Sequence, residues 1–455
     1  MPRSNIGYIA VAVFLSFASI PAATGAAADI SQIRMLDLDT ARRIAMAENP
    51  SLSAARDRVL QARERVNQAR SSYYPRLDAT GSGVRVRRSD SELETGFNLP
   101  PPFETPDQRE NFYDVGLQAT YILFNGFERR FSNQSAQLGA KSTRQSLEDA
   151  RRLLLQAVAS SYYDAQLAQE NIRIAEADAA FNQRQVEDAQ ARRRVGTGSL
   201  SDVLNFEVQV NRARFEVIRA RRQYEVSMAV LAALLGVPEG RFPDTLALAP
   251  LRDEGRAELV YPDSDPLIDY AVAHRPDILR GEFRVQQTRA DMGVVRSEFY
   301  PSLDLSGTVD GAREGDAGFE EDDFGYSVGL FLRYNLFAGG ASAARLRETR
   351  LRLAEDENLL EDTVIGVKAE VRQALSDLEL AQESVRLERS NAELVQRNRD
   401  LVEKEYQAGQ ASLVRLNEAQ RDLVQAQSRL ALAIVSLRRA WENLDTVTAQ
   451  ILARY

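Results

Sequence analysis

Cysteine is absent from the 455 residues. Its absence excludes disulfides, thiolate metal sites and a lipid-modified N-terminal cysteine. Histidine occurs once, as His274 beside Arg275-Pro276, where a surface side chain fits better than a ligand or general base. No glycine loop closes on Lys-Ser/Thr in the Walker pattern, so ATP hydrolysis is not expected and energy must come from a partner. The acidic residues follow helical surface spacing and make no paired-carboxylate site. The chain is therefore expected not to be an enzyme and to need no cofactor or metal. A formal net charge of −9 argues against a nucleic-acid partner.

Long apolar runs are missing too, except at the start. Arg3 is followed by an apolar stretch from Ile6 to Ile20, then Pro21 and the small residues Ala26-Ala27-Ala28. This reads as a signal peptide over residues 1–28. The alternative, an uncleaved membrane anchor, has a short apolar core for that role.

Proline and glycine are scarce in two places. From Phe127 to Val195 there is no proline and one glycine, Gly139; the stretch from Gly340 to Ala408 contains only Gly366 in its interior. Each is about seventy residues, a helix of roughly 100 Å if unbroken. Helices that long belong to coiled coils or bundles. Val158, Ala165, Ile172, Ala179 and Val186 stand seven apart, and Val371, Leu378, Val385 and Ala392 repeat four of those positions. Beyond Gly196 and Gly409 the seams resume, as Val203, Val210, Val217, Tyr224 and Leu231, and as Leu416, Leu423, Leu430, Leu437 and Leu444. Seven-residue apolar spacing winds a helix left-handedly on a neighbour. A dimeric zipper needs one such seam. Two long helices folding back through glycine turns point instead to helical hairpins in a larger barrel. Arg212, Arg214, Glu216 and Arg219 read as a solvated face.

The chain is also duplicated. Val115-Gly116-Leu117, Tyr121, Leu123-Phe124 and Gly126 return later, every one at the same offset, as Val328-Gly329-Leu330, Tyr334, Leu336-Phe337 and Gly339. Gly196 and Ser199-Leu200 return as Gly409 and Ser412-Leu413, still at that offset. Upstream, Pro50 and Pro75 are matched by Pro276 and Pro301 with the same spacing between them. A repeat this long implies pseudo-symmetry rather than a solenoid.

Between Pro75 and Gly126 the period changes to two. Val115, Leu117, Ala119, Tyr121 and Leu123 alternate with Gly116, Gln118, Thr120 and Ile122; Tyr326, Val328, Leu330, Leu332, Tyr334 and Leu336 alternate likewise. Leu303, Leu305 and Val309 repeat the pattern, and Leu77, Ala79 and Gly81 do so more weakly. Strands of about 10–12 residues with one apolar face suit a tilted crossing between lipid and a wet lumen. The segments alone also suit a soluble amphipathic sheet. They form two hairpins, with connecting loops at Asp90–Asn111, which holds Pro100-Pro101-Pro102, and at Gly311–Asp323, which holds Glu320-Glu321-Asp322-Asp323. Both loops read as mobile and exposed. The acid run suits either a solvated loop or divalent cations at the cell surface, without EF-hand spacing. Four strands cannot close a barrel, and open edges are not tolerated in lipid, so the barrel must be shared by two, three or four copies.

With these features the mature chain resembles the TolC family of outer-membrane channel proteins along essentially its whole length. The resemblance implies a mainly α fold with a membrane β-barrel portion: a homotrimer with four strands per protomer, continuous with a long periplasmic coiled-coil barrel. It implies a first repeat over 29–262 (strand hairpin 76–124, helical hairpin 127–236, equatorial segment 237–262). The second covers 263–455 (strand hairpin 302–337, helical hairpin 340–446). The function implied is a passive, gated exit duct in the outer membrane. Its partners would be lipid, a periplasmic adaptor and an inner-membrane pump or ABC transporter, in efflux or type I secretion. A stand-alone porin and a purely structural coiled coil are the rival readings. The family's tip turns correspond to Gly196, Ser199, Leu200, Gly409, Ser412 and Leu413, implying adaptor contact; the alternative is that they are turns only. Arg192-Arg193-Arg194 lies beside the first of them, as a docking aid or a solvated face. Asp202 and Tyr406 match a linking pair of the family's closed gate. Glu418 matches one acidic-ring position, whereas Arg415 occupies the other and Ala411 the linking arginine's place, two departures that bear on the latch.

Overall fold

The computed structural model describes residues 33–89, 91, 109–243, 245–251 and 259–455. The signal peptide and most of the Asp90–Asn111 loop lie outside the described residues.

The chain opens with β1 (Met35–Leu36) and helices α1 (Leu38–Glu48) and α2 (Pro50–Ser71). Strands β2 (Arg76–Arg87) and β3 (Arg109–Asn125) lead into the long helix α3 (Glu128–Arg194) and its return helix α4 (Leu200–Leu234). After β4 (Ala247–Leu248) the same order recurs: α5 (Ser264–His274), α6 (Pro276–Ser297), β5 (Ser302–Glu314), β6 (Phe324–Arg333), α7 (Ala341–Gln407) and α8 (Leu413–Val447). Both long helices have 67 residues and both return helices 35, so a return helix lines only the lower part of its partner. The upper part of α3 is flanked by α2 and α6, and that of α7 by α6.

Local chemistry fixes these boundaries. Pro50 and Pro276 each open a helix, where the missing N–H costs nothing. Before each, the capping residue reaches the end of a return helix. Asn49 donates to the Leu234 carbonyl at 2.8 Å, and Arg275 to the Val447 carbonyl at 3.2 Å. Two different side chains thus perform one task in the two repeats.

The seam residues Val158, Ala165, Val371 and Leu378 are buried. A central core gathers Val158, Tyr162 and Leu231 with Leu36, Leu246 and Leu248. There β4 pairs in parallel with β1. Gln166 donates to the Ala249 carbonyl at 2.6 Å, and Gln382 bonds both the N–H and the carbonyl of Val260, at 2.8 and 2.9 Å. The 237–262 segment therefore lies across both long helices near their middles, apart from residues 244 and 252–258, which are outside the described ones.

The four strands form one antiparallel sheet in the order β2-β3-β5-β6, so β3 and β5 join the halves. Register sorts the faces row by row: Ala79, Leu117, Val309 and Tyr326 lie in one row, and Asp78, Gln118, Thr308 and Ser327 in the next. Thr308 and Ser327 share a hydrogen bond of 2.8 Å on the polar face. Among the described residues the outer edges of β2 and β6 have no strand partner.

Three expectations change. The second hairpin ends at Arg333, not 337, because Ser302, next to Pro301, is the last residue able to pair opposite it. Strand β3 has 17 residues, beyond the expected length, with an irregularity between Ile122 and Phe124. The Gly311–Asp323 loop is not a free one: Gly311 to Glu314 belong to β5, and a short turn with reciprocal capping orders Glu320 to Asp323. Arg313 holds this turn, pairing with Asp323 at 2.9 Å and Asp316 at 3.1 Å.

The repeats also differ at single positions. Gly236 and Ala449 are repeat counterparts, and both sit in left-handed backbone, at φ 76° and 62°. Alanine is strained there, whereas glycine is not. Ala449→Gly is therefore expected to stabilise the chain by about 1 kcal/mol, read as a higher Tm by circular dichroism.

Candidate functional site at the helical tips

Each helical hairpin reverses through the same hydrogen-bonded turn. In the first, Gly196 donates to the Arg193 carbonyl (3.1 Å), and Thr197 and Gly198 to the Arg192 carbonyl (3.0 and 3.2 Å). In the second, Gly409 donates to Tyr406 (3.1 Å), and Gln410 and Ala411 to Glu405 (2.8 and 3.2 Å). Gly196 and Gly409 take φ of 82° and 76°, the left-handed stop that lets a helix satisfy its last carbonyls. The next helix then starts on a serine. Ser199 Oγ accepts from the Asp202 N–H at 3.1 Å and Ser412 Oγ from the Arg415 N–H at 3.3 Å, which satisfies orphan donors of the first turn.

Four of the six sequence-predicted tip residues therefore shape the turns. The leucines differ. Leu200 is 49 % exposed, while Leu413 packs against a core shared by both hairpins, which includes Phe181, Phe206, Val402 and Leu416. The two apolar side chains most exposed at the tips are Val195 (75 %) and Val414 (61 %). Val195 opens the first glycine turn, whereas Val414 falls on no seam and in no glycine motif, and sequence reasoning missed it.

The gate candidates fall into two groups. Tyr406 lies against the first hairpin: its ring meets Phe206 edge-on at 6.2 Å, and the Arg192 guanidinium lies 5.0 Å from its centroid. Burial, and then the charge of Asp202, push the Tyr406 phenol up, with Arg192 drawing it partly back. Asp202 is thus near enough to act on Tyr406 by charge, although no hydrogen bond joins them among the described residues. The sequence names Arg192 only as one of three consecutive arginines that look alike; the fold shows that Arg192 stacks on Tyr406. Arg415 and Glu418 belong to the second hairpin. Arg415 pairs with Glu405 at 3.5 Å, so its charge is partly matched within its own hairpin, and Glu418 is exposed. The hairpins meet again where Asn417 donates to Asn205 (3.1 Å) and Gln420 to Asp178 (2.8 Å).

The parts are a four-stranded sheet with one apolar face, whose outer edges have no strand partner among the described residues, and helical hairpins of about 100 Å that continue from it. The sequence profile of one family, described as outer membrane efflux protein, matches residues 42–237 and 267–450, one stretch in each repeat. The chain belongs to the outer membrane efflux protein family. Protein CyaE of Bordetella pertussis is 28% identical over 414 residues, 90% of this chain and 82% of that protein. Outer membrane efflux protein BepC of Brucella suis is 26% identical over 396 residues, 86% and 80% of the two chains. Among solved structures, the Campylobacter jejuni CmeC outer membrane channel superposes with a TM-score of 0.77 at 17% identity, covering 92% of this chain and 88% of that one. The Neisseria gonorrhoeae MtrE channel, in its open state, gives 0.73 at 23% identity, with 90% and 88% covered.

Membership accounts for the fold. The sheet is one protomer's share of an outer-membrane β-barrel that closes only on oligomerisation, and the helices are its periplasmic α-helical barrel. The protein is an outer-membrane efflux duct, and its family and fold are those of channels rather than enzymes.

Proposed function

We propose that three copies form a passive duct whose periplasmic mouth is held closed at the tips and opened by docking of a periplasmic adaptor on an inner-membrane pump. The observation that carries this reading is the contact of Tyr406 with the first hairpin. Phe206, Arg192 and the nearby Asp202 carboxylate bind the second hairpin's tip to the first, and a latch needs such a link at the very ends of the two hairpins. The exposed Val195, Leu200 and Val414 offer the adaptor an apolar end.

Single-channel conductance in planar bilayers tests the latch. Asp202→Ala/Tyr406→Phe removes the charge and hydroxyl while keeping the ring stack. A small wild-type conductance that rises several-fold in the variant is the expected result. A large wild-type conductance that the variant leaves unchanged would sink the latch, with Arg415 and Ala411 as the departures responsible.

A further inference from the structure

Charge is divided unevenly between the two faces of the sheet. Alternation from the row of Ala79, Leu117, Val309 and Tyr326 puts Arg85, Arg87, Arg109 and Arg313 on the apolar face. The carboxylates of the strands, Asp78, Glu110, Asp114, Asp304, Asp310 and Glu314, all lie on the other face. The side that meets lipid thus carries arginines and no strand carboxylate.

All of these arginines stand at the outer end of the strands, away from the helices. Below them, apolar rows run from Leu303 and Leu332 to Gly311 and Phe324, about 27 Å of strand at ~3.4 Å per residue. Tilted, that length covers most of an apolar band of about 25 Å. Tyr113 comes next, opposite Arg313, and tyrosine is a residue of the interfacial girdle. Arg85 and then the row of Arg87 and Arg109 follow on the same face. Their level is that of the head groups of the outer leaflet.

The arginines of the first hairpin have no acid to answer them. Arg85 Nε donates to Asn111 Oδ1 at 2.7 Å, a neutral group that holds the side chain without cancelling its charge. Arg87 and Arg109 stand directly opposite one another, where like charges repel. Neither pairs with a carboxylate among the described residues. Glu110, on the other face, serves Arg88 at 2.6 Å.

The second hairpin solves the same problem differently. Ala79 pairs with Leu117 in the first hairpin and Leu305 with Leu330 in the second, so β2 maps on β5 at an offset of 226 and β3 on β6 at 213. Arg87 therefore corresponds to Arg313, and Arg109 to Asp322. Arg313 is enclosed by Asp323, Asp316 and Glu320 at 2.9, 3.1 and 3.5 Å. One arginine meets carboxylates of its own chain; its counterpart meets a second arginine. Resting only on the place of the chain in the outer membrane, and not on the latch, we propose that Arg85, Arg87 and Arg109 form a site for the phosphate of an anionic lipid head group in the outer leaflet. Guanidinium groups clasp phosphate oxygens through paired hydrogen bonds, and a phosphate between Arg87 and Arg109 turns their repulsion into attraction.

The test is the Tm of the full-length protein in a neutral detergent, with phosphatidic acid or phosphatidylcholine added. Phosphatidic acid is expected to raise the wild-type Tm, and phosphatidylcholine to leave it unchanged. Arg87→Gln/Arg109→Gln should need about 25-fold more phosphatidic acid for the same rise, about fivefold for each arginine. Arg76→Gln/Arg333→Gln removes equal charge from the other face and should respond as wild type does. Arg109→Asp gives Arg87 the kind of partner that Arg313 has. It should raise the Tm in detergent alone and abolish the response to phosphatidic acid. An unresponsive wild type, or a double glutamine variant that responds like wild type, overturns the site. A Tm lowered by Arg109→Asp in detergent also overturns it, because the chain would then already balance these arginines by itself. An equal rise with inorganic phosphate overturns the lipid as the occupant.

Discussion

Gly126→Ala is expected to cost the protomer about 2–5 kcal/mol. The left-handed backbone accounts for about 1–2 kcal/mol of this. A new Cβ at 2.6 Å from the Ser297 carbonyl and 2.9 Å from Tyr300 adds about 1–3 kcal/mol of overpacking. Neither neighbour yields easily, since one is backbone at the end of α6 and the other starts the approach to β5. The junction matters because it is where sheet becomes helix. The variant should show a Tm lowered by many degrees and little insertion in outer-membrane fractions. Gly339→Ala separates the two costs: its backbone is left-handed too, but a Cβ there would meet no atom of the chain, so it should lose only the about 1–2 kcal/mol of backbone strain. Equal damage to the folding of the chain from both substitutions would refute this account.

Arg275→Met should be the other severe change, at about 3–5 kcal/mol, the usual cost of removing one partner of a buried ion pair. The Arg275 side chain is 3% exposed. It reaches Asp277 through two bonds of 3.0 and 2.6 Å, the Val447 carbonyl at 3.2 Å, and Glu370 on α7. Most of the loss comes from leaving Asp277 charged and buried, since Glu370 is half in solvent. Burial pushes the Asp277 carboxyl up, but the hydrogen bonds and charge of Arg275, with Arg152 beyond, hold it below its usual value. A depressed carboxylate adds stability above its unfolded pKa of about 3.9, and that stability is lost as pH falls through the lower folded value. The gap in Tm between wild type and Arg275→Met should therefore be widest near neutrality and narrow below about pH 4. A gap that is constant with pH would mean that packing, not the ion pair, holds this corner. Asp178 and Asp445 work in the opposite sense. Burial raises both, so they cost stability when ionised and that cost fades in acid.

Much of this architecture was legible before any coordinates, and for one reason. Duplication writes each element twice, so a weak signal in one half is checked by the other. The long helices announced themselves through missing proline and seven-residue seams, and the strands through alternation and paired prolines. The helices α2 and α6 did not. Each buries a narrow line of small and branched residues, such as Leu52, Ala55 and Val59 in α2, among many charged ones, so their amphipathic signal is weak. The stop of β6 at Arg333 was hidden because Tyr334 and Leu336 continue the alternation, and only the partner strand's length decides where a ladder ends. At the tips, Asp202 lies just after the first glycine turn and Tyr406 just before the second. The sequence could not show that Arg192 rather than Arg193 or Arg194 stacks on the tyrosine, nor that Glu405 takes up the charge of Arg415, because those contacts depend on how two hairpins are rotated about each other.

The change of offset from 226 in β2 to 213 in β3 places the whole difference in length between the two runs of elements, α1 to α4 and α5 to α8, in the first strand loop. The chain has thus carried out its own insertion experiment. The surplus at one strand tip left both ladders in identical register, while from β3 through the end of α4 not one residue has been gained or lost against the second copy. A helix explains the contrast: one residue added midway along α3 would swing everything below it by about 100° and turn the seam away from its partners. Labels, affinity tags or foreign epitopes accordingly belong in the first strand loop, where the protein has already accepted a passenger, and nowhere along the barrel of helices.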